Sequence, residues 1–447
     1  MSELLGRTQS FKAALSEAAS QRLPGSDAEL VDVIRALEEL KSAAAALQAR
    51  AAADLASSRE QALGTARTPK ERVAARRLMR SAAPEVALAR RESPHRGGRL
   101  LGLAKALTSE MPHTYAALQQ GLLNEWRATL VARETACLSM EDRGEVDRAL
   151  AADAGEVEGW GDRRLADQVR TLAYRLDPHA VVDRARRARA ERHVSLRPAP
   201  DTMTWLTALL PVEQGVACWA ALKASADGAG ASGDERSRGQ VMADTLYERV
   251  TGRAIAGGVG VEVKLVLTDR TLLQGESEPA RLEGYGTLPA QIARDLARHG
   301  AETGAGAFVR QIYTHPVTGS LVAMASRRRT MPAGLAELIA TRDQSCRTPW
   351  CDAPIRHRDH VWEVARGGPT SAGNGQGLCE ACNHTKQADG WHARSAPGMR
   401  HLVVTRTPTG HAYRSTAPPP PGCEPSTGET YTSADLVSTG SGYRSSA

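Results

Sequence analysis

The sequence predicts a multidomain chain with a mainly α N-terminal region, an α+β middle region, a small zinc-bearing module near the C-terminus and a disordered tail. Three observations lead to this. Apolar residues recur at helical spacing from about residue 26 to 190. After His193 the pattern changes to short β-branched runs separated by turn residues. Two close cysteine pairs, Cys346 with Cys351 and Cys379 with Cys382, then flank an Asp-His dipeptide and two asparagines.

The 447 residues, 41% hydrophobic and 24% charged, are enough for two or three domains with cores of their own. Aromatic residues make up 4%, with two Phe, so those cores are built from Leu, Val and Ala. Met1–Leu15 contains Glu3 and no apolar core of a signal peptide, and no run of about 18 apolar residues occurs. A cytoplasmic protein without a membrane partner is expected. A net charge of +6 suits a nucleic-acid partner without establishing one.

Residues 1–92 read as a helical N-terminal segment. Leu30, Ile34, Leu37, Ala44, Leu47, Ala51 and Leu55 form a stripe on one long helix, with Ser26 or Asp27 as its N-cap. The stripe is read as packing within the chain, with a homodimer through this helix as the alternative. Arg72, Arg76, Arg77, Arg80, Arg90, Arg91, Arg96 and Arg99 form a basic cluster, read as a solvated helix face rather than a phosphate-binding one. Residues 93–190 continue as helices, through Leu118, Leu122, Leu123, Leu130 and Leu138, until Asp177-Pro178 breaks the pattern. Arg184 to Arg192 make a second basic strip.

Residues 191–330 read as α+β. Val194–Leu196 and Thr202–Leu209 predict a hairpin, Pro211 starts a helix to Leu222, and 225–238 reads as a polar loop before a helix to Val250. Strands are expected at Val261–Thr268, Phe308–Tyr313 and Leu321–Met324, the last two around the turn Pro316–Gly319.

Residues 331–395 carry the chemistry. Two thiolate pairs, each on a tight turn, close a tetrahedral shell around Zn²⁺ and leave no open position, which makes the ion structural. Disulfides are the competing reading, set aside because no export signal accompanies the cysteines. Cys137, Cys218 and Cys423 lie far from any partner in sequence and read as small hydrophobes or, for Cys423, a free thiol. Asp359 is a hard ligand suited to Mg²⁺ or Mn²⁺, and His360 is a base with an ordinary pKa near working pH. A metal-assisted nuclease needs such an ion and such a base.

Cys346 to Lys386 resembles an HNH endonuclease module, the zinc-bearing form of the ββα-metal fold. The resemblance implies His360 as general base, Asn374 as the residue holding the loop between two strands, and Asp359 with Asn383 as ligands of a catalytic Mg²⁺ or Mn²⁺. His384 competes with Asn383 for that role. Lys386, with Arg358 and Arg366, would contact the DNA backbone. The sequence departs from the family pattern in two places. The second strand reads Asn374-Gly375-Gln376-Gly377-Leu378, with two glycines, and His357 stands where relatives often have a second Asp. Asp359 and His360 would point to opposite faces of a regular strand, so the site requires a bend or a strand end there.

Pro84–Ala89, Arg192–Pro198, Thr314–Gly319 and Arg342–Arg347 resemble the actinobacterial HNH proteins that carry domain of unknown function 222, the thirteen-E-twelve repeat family. That similarity spans roughly 85 to 395 and implies an actinobacterial source. Residues 396–447 read as a short strand at Leu402–Thr405 followed by a disordered Pro/Ser/Thr/Gly-rich tail. No Walker loop, Gly-x-Ser-x-Gly elbow or dinucleotide fingerprint in its required context occurs, which excludes NTPase, α/β-hydrolase and dehydrogenase readings. The expected function is metal-dependent hydrolysis of DNA phosphodiester bonds; the alternative is a zinc-stabilised DNA-binding or protein-interaction protein whose HNH module is degenerate.

Overall fold

The computed structural model describes residues 2–23, 25–151, 157, 159–252, 264–302, 325–326 and 331–421. Helices α1 (Ser2–Ala19), α2 (Asp27–Thr65), α3 (Pro69–Arg80), α4 (Ala82–Arg90), α5 (Pro94–Ser109), α6 (Pro112–Gln119), α7 (Glu125–Glu134), α8 (Met140–Ala151), α9 (Asp162–Leu176) and α10 (Pro178–Ala188) come first. The hairpin β1 (His193–Pro198) and β2 (Thr204–Leu209), helices α11 (Val212–Ala231) and α12 (Arg238–Thr251), and the sheet of β3 (Leu265–Val266), β4 (Ala280–Leu282) and β5 (Gly286–Leu288) follow, then α13 (Ala290–Glu302). The last part holds β6 (Ala325–Ser326), α14 (Ala333–Asp343), β7 (His357–His360), β8 (Thr370–Ser371), β9 (Gly375–Leu378), α15 (Glu380–Lys386), β10 (His392–Ala396), β11 (Leu402–Arg406) and β12 (Ala412–Thr416). The chain forms two compact units, residues 1–65 with 98–184, and residues 66–97 with 185–447.

In the first unit α2 starts at a capping arrangement in which the Ser26 N–H donates to Glu29 at 2.7 Å. Its buried face is Ser42, Ala45, Ala46, Ala49, Ala56 and Arg59, whereas Ile34, Leu37 and Leu47 of the expected stripe are exposed. Small residues win the inner face because neighbouring chain comes close: the backbone of Gly121 lies so near Glu39 that no Cβ fits, and the Tyr115 hydroxyl donates to the Ala46 carbonyl at 3.2 Å. Leu107, Met111, Leu118, Leu123, Val131, Val146, Leu165 and Val169 fill the core. Leu118, Leu123, Leu130 and Leu138 of the expected run are buried, and Leu122 is exposed. Asp147 is fully buried and accepts from the Thr114 N–H and hydroxyl at 2.8 and 2.6 Å and from the His113 N–H at 2.8 Å. It caps the first turn of α6, where the N-cap residue Met111 has no side-chain oxygen to offer.

In the second unit β1 and β2 pair antiparallel, His193 opposite Leu209. Helix α11 runs on to Ala231, through the stretch read as a loop; Gly228 and Gly230 lower helix propensity without breaking an established helix. Of the strand expected at 261–268, the described part pairs at Leu265–Val266 only, and the strands expected at 308–313 and 321–324 lie outside the described residues. The short strand expected at Leu402–Thr405 is β11, and where the tail was expected to lose order the chain adds β12, so that β10, β11 and β12 form an antiparallel sheet. β10 and β12 are mostly polar and alternate only weakly, so their pattern is faint; Ala393 and Val403 pack on Val361.

That last sheet is joined to the residues before it through Arg347, His401 and Ser395, whose hydroxyl donates to the Gly373 carbonyl at 2.6 Å. Arg347 donates to the carbonyl of His401 at 3.1 Å and to that of Ser415. The His401 ring shares a hydrogen bond of 3.1 Å between Nε2 and the Gly373 carbonyl. Burial, with the positive charge of Arg342 and Arg347 nearby, pulls the His401 pKa from 6.5 to about 4. A folded-state pKa below the ordinary value means that the stability present above about pH 6.5 is lost as pH falls toward 4. The denaturant midpoint of the intact protein, followed from pH 7 to 4, should therefore drop more for the wild type than for His401→Gln, which can keep the bond to Gly373 without titrating.

Candidate active site and metal centre

β7 and β9 form an antiparallel pair, His357 opposite Leu378 and His360 opposite Gly375, and α15 follows one residue after β9. The two glycines of β9 have a packing reason. A Cβ on Gly375 would run into Ile339 of α14, and one on Gly377 into Ile355. Backbone and side chain thus meet where a strand would otherwise carry side chains. A buried ion network locks the same strand. Asp343, fully buried, accepts from Arg342 at 2.7 and 3.0 Å and from the Gly377 N–H at 2.7 Å. Arg342 also donates to the Ala372 and Gly375 carbonyls at 2.6 and 2.7 Å. Arg347 lies 3.7 Å from Asp343, its pKa lowered to about 10 by burial.

The four cysteines converge. Their sulfurs all lie within 4.8 Å of one another, and all four residues are buried. Cys351 Sγ and Cys379 Sγ are 3.7 Å apart, close to the edge of about 3.8 Å of a sulfur tetrahedron with Zn–S of about 2.3 Å. Cys346 and Cys351 come from one turn, in which the Cys351 N–H donates to Thr348 at 3.0 Å and Trp350 adopts φ 60°. The Trp350 ring meets Tyr413 of β12 edge-on, with centroids 5.9 Å apart. Cys379 is the N-cap of α15, its sulfur accepting from the Cys382 N–H at 3.5 Å. Hydrogen bonds from Cys351 and Cys382 pull the Cys346 thiol down, while the bonds with Cys346 push Cys351 and Cys382 up. Packed so tightly, the set does not sustain several thiolates without a cation, and its donors fit a tetrahedral ion such as Zn²⁺.

Beside this cluster stand the other candidates. β7 ends at His360, with Asp359 half-buried and His360 buried. His360 Nε2 is 2.9 Å from the Thr370 hydroxyl, and burial lowers the His360 pKa from 6.5. Asn374 holds the loop between the strands: its Oδ1 accepts from the Trp362 N–H at 2.9 Å, and its Nδ2 donates to the Trp362 and Pro369 carbonyls at 3.0 and 2.7 Å. Gly368 in that loop lies so near the Trp362 carbonyl that no Cβ fits. Asn383, on α15, has a buried Oδ1 with no hydrogen-bond partner, the kind of oxygen that a hard cation takes. His384 is exposed on the outer side of the helix.

Lys386 does not face solvent. Its ammonium donates to Asp359 Oδ2 and to the His360 carbonyl, with about a tenth of the side chain exposed. Arg358 is exposed on β7, and Arg366 is exposed with Glu363 at 3.4 Å and the Trp362 ring at 6.0 Å. Sequence reasoning missed Thr370, whose hydroxyl is a signal only once the loop brings it to His360. It also missed Asp343, although the residue lies inside one of the motifs quoted for the family resemblance.

Prepared without chelator, the protein should carry a single zinc ion, measurable by atomic absorption. Cys379→Ala and Cys382→Ser should each lose it and lower the melting temperature, since the knuckles have little core besides the ion.

A family model described as Domain of unknown function (DUF222) matches residues 34–343, a span that ends just before Cys346. Comparison with curated proteins and with solved structures gives no match. Among the described residues no helix is long and apolar enough to cross a membrane. With more than half of its length matched, the chain belongs to the DUF222 family.

Proposed function

We propose that residues 331–395 form an HNH endonuclease module, held together by zinc, that hydrolyses phosphodiester bonds of DNA with the help of Mg²⁺ or Mn²⁺. What supports this reading is that Asp359 and His360 on β7, Asn374 directly before β9 and Asn383 on α15 come from one continuous stretch, His357–Lys386, that also carries Cys379 and Cys382 of the four-cysteine cluster. Asp359 and the unpartnered Asn383 Oδ1 would hold the divalent ion, with His384 in reserve. That ion, when bound, neutralises charge on the phosphate and the leaving oxygen.

The protein's own groups then have distinct tasks. If His360 Nε2–H donates to the Thr370 hydroxyl, the lone pair lies on Nδ1, which can take a proton from water. Burial keeps the ring neutral and so free to accept a proton. Attack by that water on phosphorus breaks the bond to the 3′ oxygen, giving 5′-phosphate and 3′-hydroxyl ends. Asn374 fixes the loop that carries Thr370 and so orients the base. Arg358 and Arg366, both exposed, are the groups available for backbone contacts. Lys386 can join them only by leaving Asp359.

Lys386 favours a second reading. An ammonium on Asp359 supplies the positive charge that a divalent ion would bring, as in a degenerate module that binds DNA or protein and cleaves nothing.

Purified protein should nick supercoiled DNA in Mg²⁺ or Mn²⁺ and not in EDTA, and His360→Ala, with its zinc content unchanged, should lose about a hundredfold or more of the rate. Undiminished nicking by that variant would remove His360 as the base. Lys386→Met should bind Mn²⁺ about tenfold more tightly than the wild type, the worth of one charge-assisted hydrogen bond; titration of the free Mn²⁺ resonance signal measures it. Binding of wild-type DNA without nicking in either ion would favour the second reading.

A further inference from the structure

Helix α3 carries Arg72, Arg76 and Arg80 at every fourth position, which aligns them along one face with about 40° of drift per step. All three are exposed, while Ala75, Leu78 and Met79 of the same helix are half-buried. Like charges four residues apart repel along a helix, and this face holds no carboxylate to offset them. The helix's one acid, Glu71, is used in its capping box, accepting from the N–H groups of Arg67 and Thr68 at 2.8 and 3.1 Å. Among the described residues Arg76 and Arg80 have no partner, and Arg72 donates only to the Ala66 carbonyl at 3.4 Å. An ordinary solvated face interleaves both signs; this one lacks its counter-charge.

The helix is also held in a definite place. Arg77 pairs with Asp389 at 3.0 Å, three residues beyond Lys386. Helix α4, which continues from α3 at Ser81, buries Glu85, Val86, Ala87 and Leu88. The Glu85 carboxylate accepts from Thr409 at 2.6 Å. Pro84 and Leu88 line a crevice together with Leu378, Thr385, Lys386 and Trp391. The arginine face is therefore fixed beside the C-terminal end of α15, the helix that bears Asn383 and Lys386. From Arg72 to Arg80 it spans about 12 Å, or three to four steps of about 3.4 Å along a DNA strand.

We propose that Arg72, Arg76 and Arg80 of α3 form the surface on which the zinc module receives the phosphate backbone of double-stranded DNA. This deepens the reading given under Proposed function and rests on DNA as the partner, not on catalysis. The repulsion along the helix is relieved by phosphates, and the contact fixes orientation without reading sequence.

The test is equilibrium binding of the intact, zinc-loaded protein to a short duplex without added divalent ion, at several salt concentrations. Replacing Arg72, Arg76 and Arg80 together by Gln should weaken binding and reduce the slope of log K against log salt by about one per arginine. Lys at all three positions should restore most of the slope. Removing exposed Arg148, Arg163 and Arg175 of the first unit serves as a control of equal charge and should change it little. If the triple Gln protein loses zinc or helix content, Arg76→Gln and Arg80→Gln singly should each lower the slope by about one. An unchanged slope, an equal fall in the control, or no duplex binding by the wild type overturns the proposal. DNA binding without cleavage leaves it standing while the nuclease reading fails, and cleavage with an unchanged slope overturns it alone.

Discussion

The second unit depends on one buried carboxylate. Asp343 is fully excluded from solvent and is satisfied by the Arg342 guanidinium and the Gly377 N–H, with Arg347 close by. Through Arg342 it fixes the end of α14 against the carbonyls of Ala372 and Gly375; through Arg347 it reaches the strands around His401 and Ser415. Taking one partner from such a group leaves a buried charge uncompensated, a loss of about 3–5 kcal/mol. The cysteine knuckle starts directly after this network, so the position of Cys346 is set by the same carboxylate.

This explains how a strand with two glycines persists. β9 has little side-chain packing of its own at Gly375 and Gly377, and α14 and Ile355 fill the space instead. The hydrogen bonds from Asp343 and Arg342 hold the strand where propensity alone would not. Close backbone approach then brings β7 and α15 into reach of each other, and Lys386 closes on Asp359 and the His360 carbonyl. Asp359, His360 and Lys386 are thus brought together by packing around Asp343, Arg342 and the two glycines.

The cysteine cluster was legible because spacing within each pair limits where two sulfurs can go, and a second pair completes the set. The helical character of residues 26–190 was legible from its period, but the face was not. On α2 the large residues Ile34, Leu37 and Leu47 point outward, and alanines pack inward. Apolar size marked the wrong side because the inner side is governed by how near the next backbone comes. In the sheet β10–β12 the strand at Leu402 was legible, while the polar β10 and β12 left too weak an alternation to be seen, since much of the anchoring comes from Arg347, far back in the chain.

By itself the sequence determined the local matters: helices, the β1–β2 hairpin and the two close cysteine pairs. These follow from spacing and backbone geometry within a few residues. Tertiary structure alone decided that α3 and α4 leave the helical unit and pack with the four-cysteine module, that Glu85 meets Thr409, and that Lys386 turns inward to Asp359. Those outcomes depend on which buried polar groups find partners across tens to hundreds of residues, a choice made by burial and charge in the folded chain and not by any local pattern.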